Sequence, residues 1–67
     1  MKIEIEIEEI EIDGTYFVTF RKSGELHRIE SRSFRYKKNA KKYKERTKEE
    51  LVRRYSFGPF PKEVKFV

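Results

Sequence analysis

Lys37, Lys38, Lys41, Lys42, Lys44 and Lys48 crowd into one short stretch, and Thr19, Arg21, Lys22, Arg28 and Arg32 precede them in the chain. Lysine and arginine spread along one surface displace counterions from a polyanion, and arginine can also meet a guanine edge with two parallel hydrogen bonds. The chemistry open to these residues is binding, not bond-making. Gly14, Gly24 and Gly58 are spaced as turn and cap residues, with no phosphate-cradling loop among them. There is no Ser/His/acid or Cys/His set, and the one histidine, His27, sits on an expected strand. Carboxylates are dense over residues 4–11, but alternating Ile and Glu is the ordinary signature of a half-buried strand. No catalytic residue, cofactor or small-molecule substrate is expected, and the chain does not read as an enzyme.

Composition narrows the choice further. Sixty-seven residues make one small domain, spanning 1–67, with a modest core. Zero cysteines exclude disulfides and thiolate metal sites, and no metal site is expected from a single histidine. No apolar run is long enough for a signal peptide or a spanning helix, so no membrane partner is expected and the expected location is the cytoplasm. The net charge of +5 conceals an asymmetry: residues 1–13 carry −5, residues 14–30 carry +1 and residues 31–67 carry +9. Such polarity either closes on itself as ion pairs or presents a basic surface to a polyanion. Heavy use of Lys, Glu and Ile, with no Gln and one Asn, fits a thermophilic source and a de novo designed scaffold equally well.

The elements that must position these charges follow from periodicity. Lys2–Asp13 alternates apolar and acidic residues and reads as a strand. Ile3, Ile5 and Ile7 share a face, whereas Ile10 and Ile12 have the other parity. A β-bulge at Glu8–Glu9 would return them to the core and leave Glu4, Glu6, Glu9 and Glu11 on the outer face. Asp13-Gly14 signals a type I′ hairpin into a central strand, Thr15–Lys22. Ser23-Gly24 turns the chain into a third strand over Glu25–Arg32, in which Leu26 and Ile29 disagree in parity. Tyr36, Ala40, Tyr43, Thr47, Leu51 and Tyr55 recur every three or four residues, which predicts one helix over 36–55 with a cationic outer side. Ser33 is a candidate N-cap, with the helix starting there or two to three residues later. Gly58-Pro59 ends the helix, Phe57, Phe60 and Pro61 form an apolar lid, and Glu63–Val67 is a candidate edge strand. The fold class is α+β: an antiparallel three-stranded sheet, β-β-β-α, with a short fourth strand as an option and one helix packed on one face. The expected core is Ile3, Ile5, Ile7, Ile10, Ile12, Tyr16, Val18, Phe20, Ile29, Phe34, Ala40, Tyr43, Leu51 and Tyr55.

One stretch carries a likeness. Gly14-Thr15-Tyr16-Phe17-Val18-Thr19-Phe20-Arg21, then Gly24, then Phe34-Arg35-Tyr36-Lys37-Lys38-Asn39-Ala40 with Tyr43, resembles the arm-type DNA-binding domain of phage and transposon tyrosine recombinases over roughly residues 10–50. In that family a three-stranded sheet enters the major groove and the helix backs it. The resemblance implies duplex DNA as partner and contacts from Thr19, Arg21, Arg28 and Arg32 on the sheet, with Lys22 at the turn. Two features depart from the pattern: Tyr36 stands where the family has a capping Thr, and the first strand is acidic where a groove-facing strand should not be. Should those glutamates spoil the sheet, Lys38, Lys41, Lys42 and Lys48 on the helix would meet phosphates instead. The resulting expectation is a small, basic, non-catalytic DNA-binding module of phage or mobile-element type. Its rival is a protein-interaction module or designed scaffold with no nucleic-acid role, whose open edge strand pairs with itself or another protein.

Overall fold

The computed structural model describes residues 2–67. Its elements are β1 (Lys2–Ile12), β2 (Thr15–Lys22), β3 (Arg28–Phe34), α1 (Lys37–Ser56) and β4 (Glu63–Phe66). The sheet runs β3-β2-β1-β4, with β1, β2 and β3 antiparallel and β4 parallel to β1. This is the expected α+β architecture, with the fourth strand formed. The β1–β2 turn places both Asp13 (φ 48°) and Gly14 (φ 77°) in the left-handed region, as a two-residue I′ hairpin requires.

The bulge in β1 does not exist. Pairing runs without interruption from Ile5↔Lys22 to Ile12↔Thr15, so parity holds along the whole strand. Ile3, Ile5 and Ile7 face the helix, and so do Glu9 and Glu11; Glu4, Glu6, Glu8, Ile10 and Ile12 face away. Ile10 and Ile12 are 42% and 54% exposed and leave the expected core. The reason lies in α1: Lys37, Lys44 and one side of Lys41 line a cleft shared with Glu9 and Glu11, so carboxylates suit that stretch better than isoleucines. Glu9 meets Lys44 at 2.7 Å.

An irregularity occurs instead in β3. Phe20 pairs with Glu30 and Arg21 with Arg28, leaving Ile29 as the extra residue. Ile29 thereby packs on the core. Leu26, ahead of the strand, is 92% exposed, which settles the parity conflict: β3 begins at Arg28, not Glu25.

Ile5, Val18, Phe20, Ala40 and Leu51 form the buried core, with Ile3, Ile7, Tyr16, Ile29, Phe34, Tyr43, Tyr55, Val64 and Phe66 packed around it. Helix α1 contributes Ala40, Thr47 and Leu51 as its buried stripe. Tyr43 stands edge-on to Phe20 and tilted against Phe34. Ser33 lies within β3, so the helix starts later than Ser33, at Lys37, and Tyr36 takes the N-cap position without a side-chain cap. At the other end Ser56 Oγ donates to the Val52 carbonyl, and Lys62 N–H donates to the Tyr55 carbonyl at 2.8 Å, turning the chain toward β4. Phe57 and Phe60 form no lid over the core; they are 84% and 83% exposed, both in the irregular segment between the end of α1 and the start of β4.

Candidate nucleic-acid interface

The sheet residues singled out from the sequence do not form one surface. Thr19, Arg21 and Arg28 lie on the helix-free face, where Arg21 and Arg28 are cross-strand partners. Lys22 pairs with inward-facing Ile5, and its ammonium sits 5.3 Å from the centre of the Tyr55 ring. Arg32 pairs with buried Val18 and lies over the rings of Phe34 (5.4 Å) and Tyr43 (6.0 Å) on the helix side. Placing Arg32 with Arg21 and Arg28 was therefore wrong: the register of Val18↔Arg32 turns it to the opposite face.

The residues that do share the outer face are engaged or opposed. Arg21 Nη2 donates to Glu6 Oε2 at 2.9 Å, and Thr19 and Ser31 hydroxyls lie 3.2 Å apart. Glu4, Glu6 and Glu8 line the neighbouring strand on that face, while Glu9, expected there too, has turned to the helix with Glu11. A phosphate approaching Arg21 would meet this row of carboxylates.

The helix is different. Lys38, Lys41 and Lys42 come together with Arg46 along one shallow groove, edged by Glu45 and Glu49. Among the described residues, only Arg21, Lys44 and Arg54 have a carboxylate within 4.0 Å; Lys38, Lys41, Lys42 and Arg46 have none. Lys38 to Arg46 is eight residues, or ~12 Å of helix. The first turn carries no acid, and Tyr36 supplies no capping oxygen. The free N–H groups and the aligned peptide dipoles therefore add positive potential, equivalent to about half a charge, beside Lys37 and Lys38. Arg46 was absent from the sequence-based set. Its spacing of four from Lys42 was the available signal.

The surroundings of the Tyr43 hydroxyl perturb it. Burial raises its hydroxyl above the usual tyrosine range, and Thr47 only partly offsets this. Tyr43 Oη has no partner in hydrogen-bond geometry. It lies under the sheet, away from the lysine groove, and plays no part in the interface. Among the described residues, no helix is long and apolar enough to cross a membrane. The chain matches no protein-family model, no characterised protein and no solved structure.

Proposed function

We propose that this chain is a small non-catalytic DNA-binding module that grips the duplex backbone through Lys38, Lys41, Lys42 and Arg46 of α1. The observation that carries this reading is that these four cations outnumber Glu45 and Glu49 in one shallow groove, and among the described residues none of the four has a carboxylate within 4.0 Å. A second feature supports it. An isolated helix favours acids in its first turn and a capping oxygen before it; α1 has lysines and a tyrosine there. A local rule broken at an exposed site, against the interest of stability, is what a functional demand leaves behind. The partial likeness of residues 10–50 to arm-type domains of phage and mobile elements points to the same ligand, though by a different surface.

A helix face of lysines reads phosphate and not base edges, so binding is expected to be sequence-tolerant and steeply salt-dependent. Fluorescence anisotropy with short duplexes at several salt concentrations tests this. Lys41→Ala/Lys42→Ala should weaken binding to all duplexes alike and flatten the salt slope by roughly 1–2 units. Arg21→Ala should change little. Absence of binding at micromolar protein in low salt would remove the proposal. A loss of sequence preference in Arg21→Ala or Arg28→Ala would move the interface to the sheet.

The protein-interaction reading also has an observation in its favour. Ile10 and Phe17 are cross-strand partners on the helix-free face, 42% and 37% exposed, with Ile12 beside them. Apolar side chains clustered on a sheet face suit a protein partner better than a phosphate backbone.

A further inference from the structure

The sheet has two ends and one uncovered stretch. β4 closes one end, but it is four residues long and pairs only with Lys2–Ile5, leaving β1 beyond Ile5 open on that side. That open stretch contains Glu6, Glu8, Glu9 and Glu11, and an acidic edge repels another like it. β3 at the other end is seven residues long and, among the described residues, pairs only with β2. Beyond the irregularity at Ile29, the outward N–H and C=O groups of Glu30–Phe34 run in regular register with β2 and are a template for another strand, and no proline interrupts them.

We propose that a second copy of this chain pairs with β3, antiparallel, with Ser31 facing Ser31 across the two-fold axis. The charge pattern selects that register. With Ser31 on the axis, Glu30 of each copy lies opposite Arg32 of the other, twice over by symmetry. A shift of two residues in one direction sets Glu30 against Glu30; in the other it sets Arg32 against Arg32. A shift of one residue puts the two helices on opposite faces and loses both ion pairs.

Both charges are available. Among the described residues, Arg32 has no carboxylate within 4.0 Å, and the one cation within that distance of Glu30 is Arg54, at 3.9 Å, which lies closer to Glu50 at 3.3 Å. Arg32 is exposed and its guanidinium lies over the rings of Phe34 (5.4 Å) and Tyr43 (6.0 Å), on the same face as Glu30. On the other face Ser31 is small and lets the two strands approach. The pairing is independent of the nucleic-acid reading, since Lys38, Lys41, Lys42 and Arg46 lie elsewhere.

Sedimentation equilibrium and amide NMR of the wild-type chain from micromolar to millimolar concentration are the first measurements. A dimer should grow in with concentration, and the shifting amides should centre on Ile29–Ser33. A strict monomer at millimolar concentration, or shifts centred on β4 or on Ile10–Phe17, overturns the proposal. Glu30→Arg and Arg32→Glu should each weaken association by about tenfold or more. Mixing the two variants should restore it, because each Arg of one then faces a Glu of the other. With both variants folded by circular dichroism, association that survives the single changes, or fails to return on mixing, also overturns it.

Discussion

A single hydroxyl shows how closely this small core is balanced. Tyr43 offers its ring to Phe20 and Phe34, and the ring edge-packing needs no oxygen. The oxygen itself is buried, and among the described residues no group meets it in hydrogen-bond geometry, Thr47 coming only near enough to offset part of the burial, a situation that costs about 1–3 kcal/mol. Tyr43→Phe keeps the ring and removes the orphan, so it should raise stability by about 1 kcal/mol in urea denaturation. The pH dependence follows from the same burial. The folded hydroxyl holds its proton above the usual tyrosine range, so the unfolded chain ionises first as pH rises. The stabilisation is complete below the unfolded tyrosine value of about 10 and is lost as pH climbs through the raised folded value. The stability advantage of Tyr43→Phe should therefore widen above about pH 10. An unchanged difference between the two proteins across that range would show that Tyr43 Oη finds a partner in solution.

At the scale of elements, α1 was legible because one pattern served both its burial and its boundaries. Ala40, Tyr43, Thr47, Leu51 and Tyr55 recur at helical spacing, and all of them reach the core. β1 was legible as a strand and misread in its second half. Parity alone placed Ile10 and Ile12 on the solvent side, and the assumption that isoleucines must be buried led to a bulge. What decided the matter was the facing element: α1 brings lysines over that stretch, so Glu9 and Glu11 belong beneath it. The irregularity of β3 was signalled by the conflict between Leu26 and Ile29, but its position depended on pairing with β2, which no single strand reveals. The helix start makes a further prediction. Lys38→Glu puts an acid in a first turn that has none and should stabilise the fold by ~0.3–1 kcal/mol. It should also weaken duplex DNA binding, because it reverses one charge of the groove. A variant that is more stable and binds DNA as well as the wild type would dissociate the groove from the ligand.

For the whole molecule the sign of the charge was legible from the sequence, and its distribution was not. The acidic strand neutralises part of the excess through Glu6–Arg21 and Glu9–Lys44. Those pairs draw on the sheet's outer face and on the buried side of α1. They do not involve Lys38, Lys42 or Arg46, whose groove is edged by Glu45 and Glu49 of the helix itself, which is why the sheet arginines and helix lysines, indistinguishable in composition, separate in the fold. The same partition sets the response to salt. Screening weakens the few exposed ion pairs, each worth about 0–1 kcal/mol, and also relieves repulsion among Lys37, Lys38, Lys41, Lys42 and Arg46 and the helix N-terminus beside them. The chain carries a net charge of +5, and the groove holds four cations against Glu45 and Glu49, so relief should win. Raising salt from low to moderate concentration should lift the melting temperature of the free protein, by about 4 °C for each ~0.5–1 kcal/mol gained in a chain of this size. Over the same range affinity for duplex DNA should fall. On the proposed function the two responses have opposite sign for one reason: salt screens both the repulsion within the groove and its attraction for phosphate. A melting temperature that falls with salt would mean that the ion pairs dominate and that the groove carries no excess of charge to offer a ligand.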